Sequence, residues 1–475
     1  RIGRDTPVFV FLHHPVGRGS GVDDDEALAE TLAPFNVRVI FTGHGHSDLL
    51  WNWHGTAVTM GKGLYQGSYQ HARVDTLAGE IHVSRRTADD PSLTRFLAVP
   101  LAPATAHAHE PAHAHEPEHA HAHEPEPDQL PYVWRHPLGG GVMSRMLLDG
   151  GTLFVSAMDG SVNAIRADDG APIWRAGTGD FCHSSPVLAG ENVIVGSADG
   201  NVYAFDRATG AERWRVPTDG PVYASAAVAH GTAAIASGDG VVYGIDVVSG
   251  ALRWSWRLPP GPSAFAQSPA ATDGQRFFIG AWDEHLYALD VATGRELWRY
   301  RTSDRGFYYS PAIGKPAVAD GRLYVPSNNN TLHAIDTATG TAIWTRNSSG
   351  DRFGYSSPTL VDGRIYIGCL GKNGEVRCLE AATGDEVWVA ATGAEIYESS
   401  PALAGDILAI GSVNGTLWLI RATDGTILGS HRFPPGHFMS TPAAAPGRVY
   451  AATFAEEVRA FDVSTLTANV GGPAT

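Results

Sequence analysis

A segment with the pattern Thr-Gly-x-x-x-Trp returns along most of the chain. Its clearest copies end at Trp214, Trp298, Trp344 and Trp388. A copy with Ser-Gly ends at Trp254 and one with Asp-Gly ends at Trp174, while Trp134 stands one period earlier and a degenerate copy ends at Gly429. The copies follow one another every 40 to 46 residues. A period of this length is typical of a propeller blade, a four-stranded unit that buries its core only against its neighbours.

Most repeats carry a second mark, a Ser-Pro pair followed by small and apolar residues. The pairs are Ser185-Pro186, Ser268-Pro269, Ser310-Pro311, Ser357-Pro358 and Ser400-Pro401, with Thr441-Pro442 as a near match. Proline fits the first residue of a strand, where its missing N–H matters least. We therefore predict eight four-stranded sheets around one axis over residues 132–468.

These repeats resemble the quinoprotein-type, or PQQ-like, eight-bladed β-propellers. The resemblance implies that one tryptophan of each repeat packs between neighbouring blades, here Trp174, Trp214, Trp254, Trp298, Trp344 and Trp388. That family contains quinone-dependent dehydrogenases, which hold pyrroloquinoline quinone (PQQ) and calcium over the axis, and non-enzymatic scaffolds. This sequence has no adjacent cysteine pair and no long insertion. We therefore expect a scaffold with a protein partner and without PQQ; a dehydrogenase is the alternative.

Residues 1–98 have a different, mixed α/β pattern. The apolar run Pro7 to Leu12 and the run Val37 to Phe41 predict buried strands, and the acidic stretch from Asp23 begins a helix between them. Such a strand–helix–strand unit has parallel strands, so the loops that follow both strands leave the same edge of the sheet. Four imidazoles follow there: His13, His14, His44 and His46.

The sequences Leu12-His-His-Pro15 and Gly43-His-Gly-His46 resemble the C-terminal half of calcineurin-like metallophosphoesterases. The resemblance implies that His13 and His44 bind one divalent transition metal (Fe, Mn or Zn), that His46 binds a second, and that His14 lies on the substrate side. Two such ions can activate a hydroxide against a phosphoester.

The family's upstream motifs, Asp-x-His, Gly-Asp-x-x-Asp and Gly-Asn-His, do not precede His13. We therefore expect no catalytic residue in this chain, which would be the inactive C-terminal part of a longer metal-dependent phosphoesterase. Its propeller would recruit a partner or the substrate. The predicted fold class is mostly β: a truncated α/β metallophosphoesterase sandwich followed by an eight-bladed β-propeller. A non-enzymatic propeller with a relic N-terminal piece is the alternative.

Residues 99–131 are low in complexity and alternate histidine with alanine between Glu-Pro pairs. This composition offers no apolar face and predicts a disordered linker. A loose metal-binding role is the alternative, through His107, His109, His113, His115, His119, His121 and His123.

Composition narrows the remaining classes. A net charge of −16 speaks against a nucleic-acid partner, and no apolar run is long enough to span a bilayer.

Cys369 and Cys378 flank Asn373-Gly374; a two-residue turn there would place the cysteines opposite each other. A cross-strand disulfide is then one interpretation and two buried thiols the other. The disulfide would fit an extracytoplasmic protein, periplasmic or secreted.

Aromatic residues precede the Ser-Pro marks. Two interpretations stay open: a ring of aromatic side chains at one mouth of the propeller channel, or packing inside the sheets. The residues are Phe181, Tyr223, Phe265, Tyr308, Tyr309, Tyr355, Tyr397 and Phe438.

Overall fold

The computed structural model describes most of the chain as two compact units, residues 1–122 and 123–475. The described residues are 6–12, 25–42, 49–54, 56–60, 68–75, 78–87, 94–101, 130–261, 263–306, 310–433 and 437–467. None of the helices in these ranges combines the length and the apolar character that crossing a bilayer requires.

The first unit contains a four-stranded sheet with one helix. Its elements are β1 (Pro7–Leu12), α1 (Asp25–Leu32), β2 (Asn36–Thr42), β3 (Leu49–Trp53) and β4 (Thr56–Met60), and the strand order is β1-β2-β4-β3. Strands β1 and β2 are parallel, as the sequence predicts. The core residues Ile40 and Val58 are fully buried, and Leu28 and Leu32 of α1 pack against them.

A separate antiparallel sheet completes the described part of this unit. It consists of β5 (Ser68–Asp75), β6 (Glu80–Thr87) and β7 (Thr94–Pro100). The Arg38 guanidinium donates to the carbonyl oxygen of Pro100 at 2.7 Å and so ties β2 to the end of β7.

The second unit consists of eight sheets, here called blades I to VIII, preceded by β8 (Tyr132–Pro137). Blade I holds β9 (Leu147–Asp149), β10 (Thr152–Ser156), β11 (Ser161–Arg166) and β12 (Pro172–Gly177). Blade II holds β13 (Val187–Ala189), β14 (Asn192–Gly196), β15 (Asn201–Asp206) and β16 (Glu212–Pro217). Blade III holds β17 (Ala227–Ala229), β18 (Thr232–Ala236), β19 (Val241–Asp246) and β20 (Leu252–Arg257). Blade IV holds β21 (Ala271–Thr272), β22 (Arg276–Gly280), β23 (His285–Asp290) and β24 (Glu296–Arg301).

The remaining blades follow the same plan. Blade V holds β25 (Ala317–Ala319), β26 (Arg322–Ser327), β27 (Thr331–Asp336) and β28 (Ala342–Asn347). Blade VI holds β29 (Arg352–Phe353), β30 (Thr359–Val361), β31 (Arg364–Leu370), β32 (Glu375–Glu380) and β33 (Glu386–Ala391). Blade VII holds β34 (Ala402–Ala404), β35 (Ile407–Gly411), β36 (Thr416–Arg421) and β37 (Ile427–Arg432). Blade VIII holds β38 (Ala443–Ala445), β39 (Arg448–Ala452) and β40 (Glu457–Asp462), and the helix α2 (Ser464–Thr467) follows.

The ring is closed by strands from both ends of the propeller. Strand β8 pairs antiparallel with β40 and is the outermost strand of blade VIII, so Trp134, the first tryptophan of the series, belongs to the last blade. The innermost strands of blades I and VIII, β9 and β38, contact each other. The predicted mostly β propeller is therefore confirmed, with an overlap of the two chain ends in one blade.

The turn before the outermost strand recurs from repeat to repeat and is stabilised by local hydrogen bonds. In blade II the Asp206 carboxylate accepts hydrogen bonds from the backbone N–H and the hydroxyl of Thr209, both at 2.8 Å. The backbone N–H of Gly210 then donates to the carbonyl oxygen of Asp206 at 2.8 Å. Side-chain oxygens of Asp and Thr stabilise such turns, and the chain returns into the outer strand. The same contacts recur at Asp246, Asp290 and Asp336.

The repeat tryptophan links its blade to the next one. The indole N–H of Trp214 donates to the carbonyl oxygen of Val247 in blade III at 3.2 Å, and the indole face lies against Gly250. Equivalent bonds of 2.9 to 3.2 Å are made by Trp134, Trp174, Trp254, Trp298, Trp344 and Trp388. Each of these indoles is almost fully buried or half-buried between two blades, which is the structural role that the resemblance implies. In blade VII the place of the tryptophan is taken by Gly429, and Leu130 packs there instead.

Candidate functional site

The predicted histidine ligands His13, His14, His44 and His46 lie outside the described residues. What the structure describes is the pair of strands that precede them. Leu12, the last residue of β1, pairs with Thr42, the last residue of β2, so both strands end at the same edge of the sheet. Within the described ranges, no three His, Cys, Asp or Glu side chains are grouped to hold a metal ion. The predicted pair of divalent metal ions is thus not shown.

The propeller axis contains two adjoining cavities. The mouth chamber has a volume of about 230 Å³, and the inner chamber, lined by residues of the innermost strands, has a volume of about 490 Å³. Both chambers are lined by the same six residues: Arg145, Val187, Leu188, Ala226, Lys315 and Ser357. These residues therefore mark the boundary between the chambers.

The rim of the mouth chamber is built from one position in each blade, four residues before the innermost strand. This position supplies Met143, His183, Tyr223, Gln267, Ile313, Tyr355 and Glu398 in blades I to VII. His183 and Glu398 approach each other across the mouth, with Nε2 and Oε2 3.8 Å apart. Although burial opposes the charged ring, the neighbouring Glu398 carboxylate holds the pKa of His183 above its usual value.

The predicted aromatic residues divide between the mouth and the blades. Tyr223 and Tyr355 line the mouth chamber. Phe181 stacks on Tyr223, with ring centroids 5.7 Å apart, and Phe438 is fully buried inside its blade. Phe265 stacks on Trp282 and Tyr397 packs on Tyr355, whereas Tyr308 and Tyr309 lie outside the described residues. Among the described residues, neighbouring blades place unlike side chains at the rim, and these do not form a continuous aromatic ring.

Sequence reasoning missed the two cations of the channel, Arg145 and Lys315. Both stand two residues before an innermost strand, where most other blades have serine or threonine. The Ser-Pro pattern concealed Lys315, because it selects Ser310-Pro311 in blade V. The strand β25 is instead preceded by Lys315-Pro316. The signal that would have found it is the short apolar sequence Ala-Val-Ala after that pair.

The cysteine pair has a different register from the predicted one. Cys378 lies opposite Tyr366, and Cys369 pairs with Phe353 of β29. The turn spans residues 371–374, closed by the bond from the Gly374 N–H to the Gly371 carbonyl oxygen at 3.1 Å, so it is not the predicted two-residue turn. The two cysteines consequently face opposite sides of the sheet and are buried free thiols. Of the two interpretations, this geometry favours two buried thiols and does not support the cross-strand disulfide.

A family model described as "Outer membrane protein assembly factor BamB", of the PQQ-like repeat type, matches residues 129–255, 198–307, 283–368 and 372–469. Together these matches cover well over half of the chain. The chain belongs to this family of PQQ-like propellers. The matches begin at residue 129, so they support the propeller and give no support for a metallophosphoesterase domain. No curated protein matches the sequence.

Solved structures share the propeller fold. BamB from Moraxella catarrhalis is 21% identical, with a TM-score of 0.59 over 70% of this chain and 99% of its own. The quinohemoprotein alcohol dehydrogenase from Comamonas testosteroni is 16% identical, with a TM-score of 0.60 over 73% of this chain and 78% of its own. A europium-containing methanol dehydrogenase is 14% identical, with a TM-score of 0.61 over 70% of this chain and 93% of its own. At these identities the likeness shows the fold alone.

The resemblance to quinoproteins allows a test of whether the channel suits PQQ with calcium. Calcium takes about six to eight oxygen ligands, with carboxylates prominent among them. Glu398 is the one carboxylate among the described residues that line the mouth chamber, and it already faces His183. The donor set therefore does not fit a quinone–calcium centre.

Proposed function

We propose that the propeller is a non-enzymatic scaffold that binds another protein outside the cytoplasm. The family description, an outer membrane protein assembly factor, agrees with such a role. The observation that carries the proposal is that exposed branched side chains recur on the outermost strands of most blades, and those of three consecutive blades are used here. They are Leu297 in blade IV, Ile343 in blade V and Val387 with Val389 in blade VI, and between 37% and 44% of each is exposed. These four residues are called the apolar edge below.

The apolar edge lies on strands that have a neighbour on one side only. Leu297, Ile343 and Val387 each precede the repeat tryptophan, whose indole points the opposite way, into the blade. The same position holds Val133 in blade VIII and Ile173 in blade I, 52% and 45% exposed, and arginine in blades II and III. The apolar character therefore continues around most of the perimeter and is interrupted at blades II and III. An outermost strand presents free backbone N–H and C=O groups, and exposed apolar side chains on it favour addition of a strand from a partner.

Site-specific photo-crosslinking in the source cells tests this proposal. We expect a crosslinker at Val387 or Ile343 to yield a discrete protein adduct, and Val387→Glu to abolish the adduct formed from Ile343. Val248 is the matched control, because it is a valine that is 80% exposed on a turn of blade III. Absence of an adduct at the edge positions, or the same adducts from Val248, would refute the proposal.

Phosphoester hydrolysis by the N-terminal unit, in the complete protein, is a second candidate function. The observation that favours it is the parallel pairing of β1 and β2 and their common end at Leu12 and Thr42. His13 follows the first of these residues directly and His44 lies two residues after the second. This order supports a shared site for imidazole ligands of Fe, Mn or Zn.

The coding DNA that precedes the codon for Arg1 tests this second function. In-frame Asp-x-His, Gly-Asp-x-x-Asp and Gly-Asn-His motifs are expected. The protein expressed with that region should bind two metal ions and hydrolyse bis-p-nitrophenyl phosphate, and His44→Ala should lose one ion and the activity. Absence of the motifs, or hydrolysis that His44→Ala leaves unchanged, would overturn the assignment.

A further inference from the structure

The position two residues before the innermost strand contributes residues that line both chambers of the channel. In chain order the eight blades place there Arg145, Ser185, Ser225, Pro269, Lys315, Ser357, Ser400 and Thr441. Arg145 belongs to blade I and Lys315 to blade V, four blades apart in a ring of eight. The two cations therefore approach the axis from opposite sides, and both border the mouth chamber and the inner chamber.

Neither cation has a counter-ion among the described residues. The titratable groups that line the mouth chamber with them are His183, Glu398, Tyr223 and Tyr355, and Glu398 is the partner of His183. Burial, together with the smaller effect of the nearby Arg145 guanidinium, lowers the pKa of Lys315 to about 8. Burial likewise lowers the pKa of Arg145 to about 10. By accessible surface both side chains are half-buried, and a charge that is partly withdrawn from water without a partner is still costly.

Hydroxyl groups surround the two cations. The backbone N–H of Arg145 donates to Ser185 Oγ at 3.0 Å, that of Ser185 to Ser225 Oγ at 2.8 Å, and that of Lys315 to Ser357 Oγ at 2.8 Å. In each of these bonds the hydroxyl oxygen accepts, which leaves its own hydrogen to donate towards the channel. The ring thus combines one guanidinium, one ammonium and several hydroxyl donors around the channel.

We propose that this ring binds a small oxyanion, the phosphate or carboxylate group of a soluble small molecule, between Arg145 and Lys315. Guanidinium groups bind both kinds of oxyanion through paired N–H donors, and the ammonium group adds a point charge from the other side. The mouth chamber of about 230 Å³ and the inner chamber below it leave room for the rest of the molecule on either side of the ring. An anion there would neutralise the repulsion between the two cations.

Calorimetric titration of the whole chain with inorganic phosphate, and separately with succinate, tests the proposal in a low-salt buffer. We expect one equivalent of at least one anion to bind with a Kd of about 1 mM or below. Arg145→Met and Lys315→Met should each weaken binding by about tenfold or more. Lys372→Met is the matched control, because Lys372 is exposed on a turn of blade VI and its loss changes the net charge equally. Binding of phosphate alone or of succinate alone identifies the source of the oxyanion.

Proton uptake on anion binding distinguishes a binding role of Lys315 from a purely structural one, because a structural role would leave it unchanged. Because the pKa of free Lys315 is near 8, anion binding at pH 8 should take up a fraction of a proton in the wild type and none in Lys315→Met. Without anions, Lys315→Met should unfold at the same temperature as the wild type or higher, since an unpaired cation is removed. Failure of both anions to bind, equal binding by Lys315→Met and Lys372→Met, or earlier unfolding of Lys315→Met would each overturn the proposal.

Discussion

The contact between Gly250 and Trp214 offers the sharpest test of how the blades are joined. Gly250 has a φ of +73°, and a Cβ atom there would lie 2.8 Å from Cγ and 2.9 Å from Cδ2 of the Trp214 indole. The indole cannot withdraw freely, because it is buried and its N–H is bonded to Val247. Gly250→Ala should therefore strain the backbone and also displace the tryptophan.

Gly405→Ala separates these two effects. Gly405 has a φ of +67°, and a Cβ atom there would meet nothing within 4 Å. Both variants incur the cost of a left-handed alanine, about 1–2 kcal/mol. Only Gly250→Ala adds overpacking, about 1–3 kcal/mol, and a weakened hydrogen bond, about 1 kcal/mol. We expect Gly250→Ala to lower the free energy of unfolding by about 2–4 kcal/mol more than Gly405→Ala.

Guanidinium denaturation of the full chain, followed by circular dichroism, measures the difference. The two midpoints are compared with the same slope of the unfolding free energy against denaturant concentration. A change in that slope would also report whether unfolding stays cooperative. Combining Gly250→Ala with Trp214→Leu should cost less than the sum of the single changes, because the steric conflict is removed with the indole. If the two glycine variants differ by less than about 0.5 kcal/mol, the indole contact is not the reason for glycine at this place.

Three further predictions concern charge and thiol chemistry. Hydrogen bonds from Arg213 and from the Thr209 hydroxyl and N–H hold the pKa of Asp206 below its usual range. The contribution of this carboxylate to the free energy of unfolding is complete above about pH 4 and is lost as the pH falls further. Calorimetry should therefore show the unfolding temperature dropping below that pH, and dropping less steeply in Asp206→Asn. Burial raises the pKa of Cys369 to about 12 and of Cys378 to about 11. Both thiols should resist a thiol reagent at pH 8 until the chain is denatured. A change in mass when the protein is treated with a reductant alone would show that the cysteines are oxidised, and would contradict this prediction. The deeply buried guanidinium of Arg377 is paired with Glu375 and Glu386. Arg377→Met should destabilise by about 3–5 kcal/mol in guanidinium denaturation, and a loss below about 1 kcal/mol would show that the pairing contributes little.

The propeller was predictable because its repeats share short motifs with a local structural role. The Asp-x-x-Thr-Gly turn and the tryptophan four residues after the glycine each need particular side chains. Their recurrence every 40 to 46 residues can therefore be recognised in the sequence without a structure. The pairing of β8 with β40 was not, because strands separated by more than 300 residues leave no local mark of their partnership. The register around Cys369 and Cys378 failed for a related reason. The sequence offers Asn373-Gly374 as a turn, but the structure closes a four-residue turn one step earlier, and each shift changes the face of a side chain.

Arg145 and Lys315 could not be predicted from the repeat, because they differ from the serine or threonine that most blades have at this position. The ring of blades does not need Arg145 or Lys315 for closure: the indole bonds between blades and the bonds from backbone N–H groups to serine hydroxyls join neighbours whichever side chain precedes the strand. Serine at all eight places would keep those bonds and remove two charges that repel each other. A fold that retains an arginine and a lysine on opposite sides of its axis, with no described carboxylate between them, keeps them at a cost to its own stability. That cost is the physical reason to look for an anion in the channel.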